Sequence, residues 1–411
     1  MDYGKHMPEV QSKAAEAEAS RIAVFVHLAR DKDAAWWSAA RAAGTLVGIN
    51  DETPYGYGRA ARMGCDVTFS RSHSEGPLVK FVRLGLRVIL GFDVIHAYRQ
   101  LHVMSQADII WTHTESQFLA VAAVLRSHPN PPLILGQSVW LFDRWPGLSS
   151  LRRALYRRLI QKVDILTVLS DDNLAVARSL FPGKRAERVP FGIASENSVE
   201  PAPRAYKPVR VMSLGNDRDR DWTTLVHAAR GQDDIEVAIF SGTANRKLIE
   251  NVPNVTIGLV KTNAELHERM AASTVMCVPL LENKHASGVT VIQEAILAGL
   301  PVIATDIGGL RGYFGPDEIC YVPVGDVRAL QDAILTAGRE PERMLAMARL
   351  AQERMRANGL GAESYVRRHV EISRELLAER QRDPIPAGSS STTQGAAVYS
   401  TSGNALHSPK P

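Results

Sequence analysis

The residues best suited to chemistry in this 411-residue chain cluster in the segment PLLENKHASGVTVIQEAILAGLPVIATDIGGL, residues 279–310. An apolar run ending at Pro279 reads as a strand, His285-Ala286-Ser287-Gly288 as an irregular stretch, and a helix begins near Val289. The first N–H groups of a helix have no intrahelical acceptor, and its dipole is positive there. A diphosphate is the natural ligand of such a site. His285 stands just before it, Ser287 serves as cap or phosphate donor, and Gly288 lets the backbone approach closely. Glu294, on the following helix, is placed to accept hydrogen bonds from ribose or sugar hydroxyls. Taken alone, Ser-Gly before a helix is an ordinary cap. What distinguishes this one is its continuation: Gly299 as a helix stop, Pro301–Thr305 as a buried strand, then a loop carrying Gly308-Gly309.

Two further constellations lie outside this segment. Val211–Leu214 ends in Gly215 and leads into Asn216-Asp217-Arg218-Asp219-Arg220-Asp221. A strand that delivers arginines to a glycine-bearing turn suits an anionic ligand, with Arg220 as the principal cation and Arg218 as the second. By itself, such a run is a solvated charged loop whose arginines pair with neighbouring aspartates. Earlier, the apolar run Ala107–Thr112 is followed by His113 and Glu115. At a strand end, His113 faces a cleft and can hydrogen-bond a transferring sugar, with Glu115 as the other polar candidate. A lone histidine there is more often structural.

These residues need a framework to bring them together. Near-continuous apolar runs at Arg21–Leu28, Thr45–Ile49, Asp66–Phe69, Ala107–Thr112, Pro132–Leu135 and Asp164–Leu169 read as strands of a buried parallel sheet. Helical patterns lie between them at Pro77–Val103, Ser116–Ser127, Leu148–Lys162 and Asp171–Phe181. A second alternation follows, with strands from Val209, Glu236, Val255, Val275, Pro301 and Cys320, and helices at Trp222–Ala229, Asn263–Ala272, Thr290–Ala298 and Val327–Ala337. The expected organisation is an arm over 1–20, an α/β domain over 21–194, a linker over 195–207 and a second α/β domain over 208–362. A helix over 363–382 and a small, polar tail over 383–411 complete it.

Composition limits the function classes. Hydrophobic residues make up 45% and charged residues 22% of the chain, the balance of a globular protein. Lys plus Arg exceed Asp plus Glu by 48 − 44 = 4, too little for an extended nucleic-acid footprint. Cys65, Cys277 and Cys320 have no metal-ligand spacing and fit a reducing compartment. No apolar stretch of about 18 residues and no signal-peptide pattern are found, so a cytoplasmic protein is expected. The turn after the first strand, His27-Leu28-Ala29-Arg30-Asp31-Lys32, has no glycine, which sets aside a dinucleotide-binding oxidoreductase or epimerase.

Glu294-Ala295, Gly299, Pro301-Val302, Ala304-Thr305 and Gly308-Gly309 together resemble the donor-site signature of family 4 glycosyltransferases, retaining enzymes of the GT-B fold. The first glutamate of that pattern is Ala286 here, and Glu282 is not its equivalent. Val211–Gly215 with the arginines after it, and Ala107–His113, follow the same family order. The resemblance is strongest over 209–322. It implies two Rossmann-like domains facing a cleft, with His113, Glu115 and Glu294 at the catalytic site. Gly215, Arg218, Arg220, His285, Ser287, Gly288, Val289 and Glu294 would form the donor site. It further implies a UDP-sugar or GDP-sugar donor, no metal, a glycan or lipid-linked acceptor, retained anomeric configuration, and a role in cell-surface polysaccharide assembly. Ala286 keeps a second reading open, that of a non-catalytic sugar-nucleotide-binding scaffold subunit.

Two basic, amphipathic helices suit the surface of an anionic membrane. In 77–91, Lys80, Arg83 and Arg87 share a face. In 148–162, Leu151, Leu155 and Leu159 form a stripe flanked by Arg153, Arg157, Arg158 and Lys162. Such contact would place the protein at the inner face of the plasma membrane. The ordinary alternative is a pair of helices packed on the sheet with solvated charges.

Overall fold

The computed structural model describes residues 21–204 and 207–382; the expected arm and tail lie outside them. Two six-stranded parallel sheets account for the strand pattern. The first contains β1 (Ile22–His27), β2 (Cys65–Phe69), β3 (Ile109–Thr112), β4 (Leu133–Ser138), β5 (Ile165–Val168) and β6 (Ala186–Arg188), in the order β2-β1-β3-β4-β5-β6. The second contains β7 (Val209–Leu214), β8 (Ile235–Phe240), β9 (Val255–Gly258), β10 (Val275–Val278), β11 (Val302–Thr305) and β12 (Cys320–Val322), in the order β12-β11-β10-β7-β8-β9. The fold is α/β with the GT-B architecture of two such units.

The strand sequences explain the layering. Every residue of β3, β5, β10 and β11 is buried, as a sheet covered on both faces requires. In the first sheet, Phe25, Ile110, Ile134 and Leu166 pack under helices on one face. On the other face, Val24, Trp111, Leu135 and Ile165 meet Tyr365, Val366 and Val370 of the last helix, Ala362–Arg382. That helix therefore crosses back from the second sheet to the first. Trp111 Nε1 donates to Ser373 Oγ at 3.0 Å, and Arg368 forks onto Glu187 at 2.5 and 2.9 Å.

In each sheet the chain begins centrally, adds strands on one side, then reverses. The reversals fall between β1 and β3 and between β7 and β10, where adjacent strand ends diverge and leave a crevice. The two crevices face each other.

Two expectations are corrected. Thr45–Ile49 is not a strand. Its apolar side chains are half-buried in another way: Val47 and Ile49 leave the first sheet and pack against the core of the second. Gly48, at φ +109°, interrupts the extended run. The single helix expected over Pro77–Val103 is two, Pro77–Leu90 and Val94–Met104, because Gly91 ends the first in the left-handed conformation and Asp93 caps the second. The strand before the linker is Ala186–Arg188; residues 189–193 that follow it are irregular. Helix Ala34–Ala42 and the 3-10 segment Pro54–Met63 were not expected.

Candidate active site

A cleft of about 450 Å³ lies between the two crevices. From the second domain it is lined by Gly215, Asp217, Arg220, His285, Ser287, Gly288, Val289 and Glu294; from the first, by Tyr55, His113, Trp140 and the segment around Ile49.

Arg220 follows β7 and pairs with Leu280, just beyond β10, across the strand reversal. Its side chain is 6% exposed, and Nε and Nη1 have no hydrogen-bond partner. Burial lowers its pKa to about 10, against the opposing charge of Asp217. The guanidinium lies against two glycines. A Cβ on Gly215 would come within 2.6 Å of Nε, and one on Gly288 within 2.9 Å of Nη1. Both are at positive φ, +142° and +81°, so side chains are excluded there on two counts. Gly288 is also the N-cap of helix Val289–Leu297, whose positive end opens on the same spot. A buried, unpaired cation beside a helix N-terminus is an arrangement suited to an anion.

The loop before that helix is tightly held. Ala286 adopts φ 54° and donates its N–H to Gly308 O at 2.9 Å; Ser287 N–H donates to Asn283 Oδ1 at 3.2 Å. His285 is 3% exposed and bonded through both ring nitrogens, Nδ1 to Asp143 at 2.8 Å and Nε2 to Asp217 at 3.1 Å. Burial alone would lower its pKa, but the hydrogen bonds to Asp143 and Asp217 outweigh it and raise it to about 9. Burial pushes Asp217 up, yet its bonds to His285 and to the Asp219 N–H hold it well below the usual carboxylate range.

Glu294 is 6% exposed, and its Oε1 accepts the Ile49 N–H at 2.9 Å. Burial raises its pKa to about 7, with only that one backbone bond opposing. Asn263 forks onto the same crossing segment, accepting from Gly48 N–H at 2.8 Å and donating to Leu46 O at 3.4 Å. Beyond the segment lies a larger cavity of about 1300 Å³ that shares Glu294 as a wall.

His113 ends β3 as expected. Its partners form a chain: Tyr365 O–H donates to Gln137 Oε1 at 2.5 Å, Tyr57 bonds Tyr365 at 2.8 Å, and His113 Nδ1 bonds Tyr57 at 3.1 Å. Gln137 Nε2 donates to His113 O at 3.0 Å and lies 3.4 Å from the same Nδ1. Burial, with His369 second, lowers the His113 pKa to about 3, so the ring is neutral. Tyr55 stacks on it at 3.4 Å between ring centroids and holds φ 56°, an uncommon backbone conformation for a bulky residue.

Not every expected residue reaches the cleft. Glu115 is buried, and its Oε2 accepts the N–H groups of Val139 and Trp140 at 3.1 and 3.2 Å. It anchors a loop and does not line the cleft. The Arg218 side chain is 55% exposed and 3.5 Å from Asp219, an ordinary surface pair. Asp143, Tyr55 and the Gly48–Ile49 segment were not anticipated. Asp143 and the Gly48–Ile49 segment act through contacts between domains, and Tyr55 through its stack on His113 within the first, none of which local spacing announces. Among the described residues, Asp217, Asp219 and His285 are the one group near enough together to share a metal ion. Because both His285 nitrogens already donate to carboxylates, the group is better described as an ion-paired imidazolium.

Residues 220–339 match the family model described as "Glycosyl transferases group 1". No curated protein matches the chain by sequence. Among solved structures, sucrose-phosphate synthase from Thermosynechococcus elongatus superposes with a TM-score of 0.67 at 18% identity, covering 87% of this chain and 99% of that one. Anabaena HepE, solved with UDP and glucose, gives a TM-score of 0.59 at 13% identity over 85% and 98% of the chains. A mutant of S. aureus TarM, solved with Fondaparinux, alpha-GlcNAc-glycerol and UDP, gives 0.55 at 13% identity over 68% and 59%. The chain thus has the GT-B fold, and residues 220–339 resemble the glycosyl transferases group 1 model.

Proposed function

We propose that the protein is a glycosyltransferase that moves a sugar from a nucleoside diphosphate donor, UDP-sugar or GDP-sugar, to a glycan or lipid-linked acceptor. The observation that carries this reading is the buried, unpaired Arg220 guanidinium between Gly215 and the N-terminus of helix Val289–Leu297. Breaking the glycosidic bond to a diphosphate leaves negative charge on the leaving group, and fixed cations and backbone N–H groups stabilise it most. Arg220, His285 and the Gly288 backbone would take this part without a metal. Glu294 would hold the ribose, and neutral His113 would hydrogen-bond the transferring sugar. Retention of anomeric configuration and a place in cell-surface polysaccharide assembly complete the proposal. The test is thermal stabilisation of the purified protein by a panel of nucleoside diphosphates and nucleotide sugars. Selective stabilisation by one nucleotide is expected; no shift with any member at millimolar concentration would refute the donor site, and the sugar-nucleotide-binding scaffold with it.

The reading extends to a peripheral membrane surface that would receive a lipid-linked acceptor. Leu78, Phe81, Val88 and Ile89 on helix Pro77–Leu90 are 66–76% exposed, and Leu151 on helix Ser150–Ile160 is 82% exposed. Lys80, Arg87, Arg157, Arg158 and Lys162 are exposed on the same two elements and their ends. The helices are joined, Arg152 donating to Ile89 O at 3.0 Å and Tyr156 to Leu90 O at 2.9 Å. The charge pattern differs from the expected one. Arg83 is 5% exposed and paired with Glu75 and Asp93, while Leu159 faces the core. Apolar side chains amid basic ones suit an anionic bilayer. No helix among the described residues is long and apolar enough to cross one. The protein is expected to sediment with phosphatidylglycerol vesicles and not with phosphatidylcholine vesicles. Phe81→Asp with Val88→Asp should abolish this; sedimentation unchanged by the pair would refute the surface.

A further inference from the structure

The donor loop of the second domain is held from the first. Asp143, on the short helix Leu141–Arg144, accepts the Lys284 N–H through Oδ1 at 2.8 Å and meets His285 Nδ1 through Oδ2 at 2.8 Å. Ser170, the N-cap of helix Asp171–Leu180, donates its hydroxyl to Lys284 O. Two consecutive residues of the loop, shortly before Ser287 and Gly288, are thus fixed by side chains that belong to the opposing sheet. Asp143 is 9% exposed and His285 2% by side chain, so the pair is shielded from water.

We propose that Asp143 is a positioning residue for the donor site: it fixes the cationic His285, and with it the loop that leads to Ser287 and Gly288, so that the site is complete only when the two domains face each other. This rests on the glycosyltransferase reading above. The physical argument is geometric. Asp217 lies on the His285 ring edge opposite Asp143, and Asp219 is 3.8 Å from Nε2. All three carboxylates face the ring. The Trp140 ring, 6.2 Å away, covers it, and Arg144 sits over that tryptophan with Glu115 3.9 Å beyond. Asp217 and Asp219 are local to the second domain and stay with His285 whatever the first domain does. Asp143 alone departs if the domains separate. A ring bonded to a carboxylate at each nitrogen must carry both protons, and such a cation sits on the wall shared with Arg220, Ser287 and Gly288. With one carboxylate removed, the buried imidazolium loses a full opposing charge at hydrogen-bond distance, and its proton is more readily released. Closure of the cleft and the position of the loop that carries Ser287 and Gly288 are thereby coupled through one side chain. The raised His285 pKa agrees with this arrangement.

The test uses the full chain with isotopically labelled histidine, following imidazole titration by NMR from pH 6 to 10, with the His285 signal assigned by its loss in His285→Gln. That measurement needs no substrate. The wild-type midpoint is expected at about 9. Asp143→Asn should lower it by roughly one unit or more, and Asp143→Glu should restore most of the shift. In parallel, the dissociation constant of UDP or GDP at pH 8, whichever binds, should rise about tenfold in Asp143→Asn and return toward wild type in Asp143→Glu. A purely structural ion pair would move the midpoint and leave nucleotide affinity unchanged. An unmoved midpoint, or a moved midpoint with unchanged nucleotide affinity, would overturn the proposal. If the wild type binds no nucleoside diphosphate, the glycosyltransferase reading itself fails and this role falls with it. If the wild type binds and Asp143→Asn binds equally well, only the role of Asp143 fails.

Discussion

Arg220→Met is expected to raise the melting temperature of the ligand-free protein while removing its response to nucleoside diphosphates. The guanidinium is 6% exposed and two of its nitrogens have no partner, so the ligand-free protein carries the desolvation penalty of a buried charge. An apolar side chain of similar length removes that penalty, and replacing buried ionic groups with well-packed apolar ones often stabilises by about 1–4 kcal/mol. At about 2–4 °C per kcal/mol for a domain of this size, the gain is measurable by calorimetry. The same change strips the leaving diphosphate of its nearest fixed cation, which should lower kcat/KM for the donor by about 10²–10³-fold. A variant both less stable and fully active would contradict the assignment. Arg220→Lys should recover little, since an ammonium cannot span both glycine contacts.

Glu294→Ala should lower donor kcat/KM by about 10²-fold, through loss of charge-assisted hydrogen bonds to ribose hydroxyls. The pH dependence is more specific. Glu294 is buried with a single opposing bond, from Ile49 N–H, and titrates near 7. Only the ionised form accepts from two hydroxyls, so kcat/KM should fall on the acid side with a limb near pH 7. Glu294→Gln should lack that limb. Stability follows the opposite course. The folded pKa lies above the unfolded value of 4.5, so the native state holds a proton that the unfolded chain releases. This contribution is complete below 4.5 and is lost as pH rises to about 7. Glu294→Gln, neutral throughout, should therefore gain on the wild type between those pH values and stay ahead above them. A wild-type profile flat through pH 7 would exclude this role.

Much of the framework was legible in the residues. Continuous apolar runs such as Ile109–Thr112 and Val302–Thr305 can only be central parallel strands, and their helices follow by alternation. The Gly288–Val289 helix start and Arg220 were legible because glycine and charge were dense around them. The failures share a cause. Thr45–Ile49 has the composition of a strand, yet its burial is supplied by the other domain. Glu115 has the chemistry of a catalytic acid, but the Val139 and Trp140 N–H groups, twenty-four and twenty-five residues away, occupy it. Asp143 looks like any surface aspartate until the opposing loop meets it. Local pattern reports what a segment needs; it does not report which distant segment meets the need.

The central claim is that a nucleoside diphosphate binds against Arg220 and the start of helix Val289–Leu297. The most direct measurement is a crystal structure of the protein with the nucleoside diphosphate that stabilises it best. The account predicts phosphate oxygens at about 3 Å from the Arg220 guanidinium and from the backbone N–H of Gly288, with the ribose beside Glu294. A nucleotide bound elsewhere, for example in the larger cavity beyond the Leu46–Asn50 segment with Arg220 still unpaired, would contradict it.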